Sequence, residues 1–273
     1  MPILNDSTAK RTGAAYGDGV DGAATVLVSL ATTKEMYYTN LFVGPGAAMD
    51  GQYKIYCKDR CLNFGTISSN GATATSQTGA NAAPNRYGSG TQNGSSGGAN
   101  GNNGGSTGAV SQLHSATAGR GARGGDAGAF TGGTLGAMTS IASFFANGVL
   151  GQFASYLRGS SFFNVSSSGS GGASAGVGDT GGGGGGRGGH VIIAARELYN
   201  FGSIEAKGGN GANGAGANAG GGGGGGGGMV FLVADYYRNF GSISVAGGSG
   251  GTGIGTGQNG GTGVAGEIIL QVG

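Results

Sequence analysis

Apolar residues fall in short runs separated by long stretches of glycine and small polar residues. Val26-Leu27-Val28-Ser29-Leu30, Met36–Val43, Tyr53–Leu62, His190–Tyr199 and Met229–Arg238 have strand length and are rich in β-branched and aromatic residues. The last three each run into Asn-Phe-Gly-(Ser/Thr)-Ile. The copies are Asn63-Phe64-Gly65-Thr66-Ile67, Asn200-Phe201-Gly202-Ser203-Ile204 and Asn239-Phe240-Gly241-Ser242-Ile243. Aligned on the Asn, Ile55, Ile192 and Phe231 occupy one column, and Cys57, Ala194 and Val233 the column two residues on. A two-residue step on a strand puts both columns on one face. Glu267–Gly273 matches the start of a further copy.

Each unit thus predicts a strand, a turn at Asn-Phe-Gly, a short second strand through the Ile, and a glycine excursion. The turn glycine is expected to supply a positive φ. One unit cannot bury its own apolar face, so the units are expected to stack.

One stretch has a different period. Leu135, Met138, Ile141, Phe145, Val149, Phe153 and Tyr156 step by three or four, which predicts an amphipathic helix whose apolar stripe caps the array. The chain then divides into an N-terminal attachment arm (1–25), a first strand unit (26–70), a Gly/Ser/Asn-rich loop region (71–133), the helix (134–158) and a glycine-rich repeat domain (159–273).

Composition changes this picture at the glycines. The chain has 71 of them in 273 residues, with only three prolines and 10% charged residues. Collagen is excluded, because no Gly-X-Y register runs through it. Gly181–Gly186 and Gly220–Gly228 are unbroken glycine runs. As flexible linkers they would have no reason to recur at fixed spacing before a strand, yet Gly189, Gly228 and Gly266 lead directly into His190, Met229 and Glu267. The expected fold is therefore all-β or irregular: stacked strand-turn-strand rungs, a sandwich of polyglycine-II-type helices, and one amphipathic helix. Such helices carry no internal hydrogen bonds and must bond sideways to neighbours.

The remaining chemistry is sparse. A net charge of +2 gives no electrostatic basis for binding nucleic acid. No run of eighteen apolar residues predicts a membrane span, and residues 1–8 do not read as a secretory signal. No cofactor or metal motif stands out: the Gly-x-Gly-x-x-Gly matches arise from composition, and the glycine fields hold too little Asp for a calcium roll. Cys57 and Cys61, four apart on a strand, would lie about 13 Å from each other, too far to bridge. They read as small core residues. His114 and His190 are the only histidines, and His190, at the head of a strand, reads as structural rather than catalytic. Asp59 and Asp235 share a repeat position and are the only carboxylates arranged for polysaccharide chemistry, a role the repeat reading sets below a structural one. Arg120-Gly-Ala-Arg123 and Arg187-Gly-Gly are too few for an RNA-binding segment.

The order Glu35–Val43, Gly51–Cys57, Asn63–Ile67, then a glycine run, Val191–Ala195 and Asn200–Ile204, resembles the glycine-rich tail and receptor-binding proteins of tailed bacteriophages. The polyglycine tracts are similar to those of the fibre-tip adhesins of T-even-like phages. The chain differs from those adhesins in having no Trp and no apolar N-terminal attachment segment. The resemblance implies a non-enzymatic virion surface protein, a tail or baseplate adhesin that displays loops to a host receptor. It also implies other virion proteins as partners, a homotrimer among the assemblies. Arg86 and Tyr87, in the 68–133 region, are the candidate receptor contacts, since Arg and aromatics are common anchors. Asn63, Gly65, Asn200, Gly202, Asn239 and Gly241 are the structural turn residues. A capsid decoration or head fibre, a bacterial surface-matrix protein and a polysaccharide-degrading enzyme are the alternatives.

Overall fold

The computed structural model describes residues 16–83, 93–106, 110–112, 121–134, 138–140 and 166–273. Twelve strands occur among them. Five long ones are β1 (Gly22–Val26), β2 (Met36–Val43), β4 (Ile55–Asn63), β8 (His190–Asn200) and β10 (Met229–Asn239), followed by β12 (Glu267–Val272). They form one parallel sheet in the order β1-β2-β4-β8-β10-β12. The short strands β3 (Ala48–Asp50), β5 (Thr66–Ser68), β9 (Ser203–Glu205) and β11 (Ser242–Ser244) form a second parallel sheet, β11-β9-β5-β3. Each long strand and the short strand after it make one rung, and the rungs stack in chain order. The repeat spacing is the register itself: Asn200 pairs with Asn239 and Asn63 with Asn200.

The two sheets close on one core. Val191, Ile193 and Ala195 of β8 point into it, and Leu198 follows at a three-residue step. The same slip occurs in β10, between Ala234 and Tyr237, and in β2, between Tyr38 and Leu41. β2, β8 and β10 therefore change face part-way along. Ile67 and Ile204 of the short strands complete the core, both fully buried. The opposite face of the long sheet carries a second cluster, with Ile192, Phe231, Met229 and Tyr56.

The slip corrects the column alignment. β4 has a bulge between Cys57 and Arg60, so Ile55 lies opposite Ile193 and Cys57 opposite Ala195. Ile192 and Phe231 belong to the other face. An ungapped alignment on Asn misses the extra residue that the bulge absorbs.

At the turns, each Asn bonds the next. Asn63 Nδ2 donates to Asn200 Oδ1 (2.7 Å), and Asn200 Nδ2 to Asn239 Oδ1 (2.8 Å). Phe42, Phe64, Phe201 and Phe240 form a row with centroid separations of 5.6, 4.6 and 5.0 Å, the last three rings stacked and Phe42 tilted against Phe64. The turn glycine is needed for closeness rather than for φ. None of the three has a positive φ, but a Cβ on Gly202 or Gly241 would sit 2.0 Å from the carbonyl oxygen of the glycine one rung below.

The glycine excursions leave from the short strands and return to the long ones. They are ordered by backbone hydrogen bonds to one another. In Gly220–Gly228 the donors rotate through three faces. Residues 220, 223 and 226 donate to Ala173, Ser170 and Ser167, residues 221, 224 and 227 to Gln258, Gly261 and Val264, and residues 222, 225 and 228 to Ala212, Gly209 and Ala206, all at 2.6–3.0 Å. Its carbonyls accept from three further segments, at Gly182–Gly188, Ala122–Gly125 and Gly248–Gly251. Six neighbours surround one bare backbone. Parts of the 71–133 region, at 71–83, 93–106 and 121–133, join the same network.

No helix occurs among the described residues. Within the stretch expected to be helical, Met138–Ser140 is strand β7, paired in parallel with β6 (Val110–Gln112). The rest of 134–158 lies outside the described residues.

Candidate functional site

The network ends in a set of turns on the side away from the rungs. Both ends of an excursion are fixed at the sheets, at Glu205 and Met229 or at Ser244 and Glu267. Its midpoint is therefore the most distant part. Nine residues of extended triplet backbone reach about 28 Å. Five turns meet there, at Asn100–Gly101, Ala127–Phe130, Ala175–Asp179, Ala215–Asn218 and Ile254–Thr256. Isolated pairings join them: Ala99 with Thr180, Thr180 with Ala215, Ala219 with both Ser174 and Ile254, and Ala127 with Gly257.

Asn and Asp side chains hold these turns by accepting from backbone N–H groups, their usual role in turns. Asp179 is buried, and its Oδ1 accepts from Ala217 (2.6 Å) and Asn218 (3.1 Å). Asn218 Oδ1 accepts from the Thr256 amide (3.0 Å) and hydroxyl (3.1 Å). Asn100 Oδ1 accepts from Gly178 (3.0 Å), and Asp126 Oδ1 from Gly132 (2.7 Å). Gly216 adopts φ +98°, which only glycine takes without strain. Asn100, at φ 51°, is the non-glycine residue with positive φ among those described.

What the turns present to solvent is small, polar and apolar, with little charge. Val177 is 94% exposed and Ile254 42%. Phe130 is half-buried beside Gly101. The charged residues of these turns are Arg123 and Asp126, paired with each other at 2.6 Å, and the buried Asp179. Rigid turns with exposed apolar side chains can form a contact surface for a macromolecule.

Those residues singled out from sequence that the structure describes lie elsewhere. Arg86, Tyr87 and His114 are outside the described residues. Asn63, Gly65, Asn200, Gly202, Asn239 and Gly241 are in the ladder at the rung corner. Asp59 pairs with Arg196 (2.8 Å), and Asp235 accepts from the Tyr16 hydroxyl (2.6 Å). Each carboxylate thus has a partner of its own, with β8 running between their strands. Cys57 and Cys61 are fully buried free thiols. His190 is buried at the junction of network and sheet, where burial first, and then the charges of Arg187 and Lys54, lower its pKa to about 3. Arg187 is buried in the network, and burial lowers its pKa to about 10. Lys54 is also lowered by burial, against the opposing pull of Glu35, whose carboxylate lies 3.5 Å away. No group of three or more His, Cys, Asp or Glu suited to a metal occurs among the described residues.

The far-end turns were missed in the sequence, although the repeat marks them. Halfway between β9 and β10 falls Ala217, and halfway between β11 and β12 fall Gly255 and Thr256. No family model matches the chain, and no curated protein or solved structure matches it.

Proposed function

We propose that this chain is a non-enzymatic surface protein of a tailed-phage virion, a tail or baseplate adhesin that presents the far-end turns to a receptor on the host cell. The glycine network, in this reading, is a sandwich of polyglycine-II helices. Support for that comes from the three-residue rotation of donors in Gly220–Gly228 and from its six hydrogen-bonded neighbours. The observation that carries the functional reading is the convergence of five turns on one end of this network, remote from the sheets. A lattice that orders bare glycine backbone costs about 1–2 kcal/mol of conformational entropy per residue. Its return is stiffness, which lowers the ordering cost of binding at the turns.

The rung end is left to face other virion proteins. No cofactor or nucleic acid enters this role. The stretch 134–158, in the same reading, holds the amphipathic helix outside its strand residues and covers the array.

The test is direct. Fluorescently labelled chain is added to a panel of candidate host cells, and the paired variant Val177→Asp/Ile254→Asp is compared with the native sequence. Binding is expected to fall at least tenfold in the variant while its melting temperature stays within about 2 °C, because both side chains are at the surface. Equal binding by both proteins overturns the assignment of the turns. Immunogold labelling of virions locates the protein on tail or head.

A further inference from the structure

Two cysteines four residues apart on a straight strand cannot touch, since their Cα atoms are about 13 Å apart. β4 is not straight between them. Its Cys57 pairs with Ala195 and its Cys61 with Leu198, so β4 uses four residues where β8 uses three. The bulge shortens the span between them to that of three residues of β8. Both thiols point into the same core, both are 0% exposed, and each lies within side-chain hydrogen-bond reach of the other. The residues between them face outward, where ion pairs to β8 hold them: Asp59 with Arg196 and Arg60 with Glu197, both at 2.8 Å.

We propose that Cys57 and Cys61 are an oxidation site, and that a disulfide oxidant closes them into an intrachain disulfide that locks the β4 bulge. With glutathione disulfide, one cysteine thiolate attacks a glutathione sulfur and releases one glutathione. The second thiolate then attacks the resulting mixed disulfide and releases the other. Two protein thiols are oxidised, one glutathione disulfide is reduced to two glutathione thiols, and the two cysteine protons are passed to them through the buffer.

Burial holds the Cys57 thiol well above its ordinary pKa and keeps oxidant out, so the reduced pair in the folded chain is slow to react. Oxidation therefore occurs while β4 is open, during folding or on warming. The chain has no other cysteine, so every possible product can be told apart.

The full chain is refolded with and without glutathione disulfide, quenched with acid, alkylated and digested with trypsin. Cleavage after Lys54, Lys58 and Arg60 separates the two cysteines onto different peptides. The expected result is that Ile55–Lys58 is recovered covalently joined to the peptide beginning at Cys61, and is freed by dithiothreitol. The oxidised chain should also melt about 5 °C higher than the reduced one, as closure of a short loop gives, and lose that gain on reduction. Recovery of the two peptides as free thiols, as glutathione adducts or as cross-links between chains overturns the proposal.

Discussion

His190 shows how one side chain can set the response of this protein to acid. It heads β8 and is fully enclosed, with Arg187 and Lys54 close enough to oppose a third positive charge. In the unfolded chain it titrates near 6.5, in the folded chain near 3. Between these values the unfolded state binds the extra proton. The stability that neutral His190 permits is complete above about pH 6.5 and falls as the pH drops toward 3. The slope from this group approaches 1.36 kcal/mol per pH unit. Urea unfolding from pH 7 to pH 4 should show it, and His190→Gln should remove that part of the slope. Equal slopes in both proteins would mean that the acid response comes from the carboxylates alone. The sequence placed His190 at the head of a strand, but its burial was not legible, because that depends on a junction of segments far apart in the chain.

At the level of elements, the Asn column joins successive rungs. Asn200 is fully buried and occupies the middle, receiving from Asn63 and donating to Asn239 and to the Ser242 carbonyl. Asn239 lies at the exposed end. Replacing Asn200 with Leu leaves the buried Asn63 amide only the Ser203 carbonyl and removes both bonds that Asn200 donates, and a cost of about 2 kcal/mol is expected. Replacing Asn239 with Leu should cost less than about 1 kcal/mol, since Asn239 itself is exposed and the Asn200 amide it leaves still donates to the Ser242 carbonyl. Denaturant midpoints of the two variants test this ordering, and equal losses would count against it.

The pentapeptide repeat made the rungs and their stacking readable in advance, because a unit that cannot bury its own apolar face must pack on its neighbours, whereas the parallel direction of the pairing was not read from it. The bulge in β4 was hidden, since an inserted residue leaves no mark unless a gap is allowed in the alignment. The stripe from Leu135 to Tyr156 shows the opposite limit. Its helical period did not prevent Met138–Ser140 from pairing with Val110–Gln112, and tertiary pairing can override a local period of this kind.

Across the whole molecule, the network of glycine segments sets what substitution is tolerated. Gly223 would place a Cβ 2.1 Å from the Ala122 carbonyl, whereas at Gly176 the nearest atom is a carboxylate oxygen of Asp179 at 3.4 Å. Gly223→Ala is expected to cost more than about 3 kcal/mol, because backbone on every side cannot move away, and Gly176→Ala less than about 1. Hydrogen exchange gives the companion measurement. Amides of 220–228 in the native chain should be protected far beyond those of Gly176–Gly178, and their complete exchange within seconds would refute an ordered network. That these tracts are built rather than loose was inferable from where they enter the strands. That their far turns gather in one place was not, because it depends on how excursions of different rungs align side by side.

The threefold rotation of donors also governs how such a molecule can change in length. Adding one residue to an arm of an excursion turns everything beyond it by a third of a revolution, and each amide then faces the wrong neighbour. Adding three restores every bond and moves the turn outward by about 9 Å. Growth and shrinkage of this protein are therefore quantised in triplets along the arms, while the turns themselves are free to take insertions of any size.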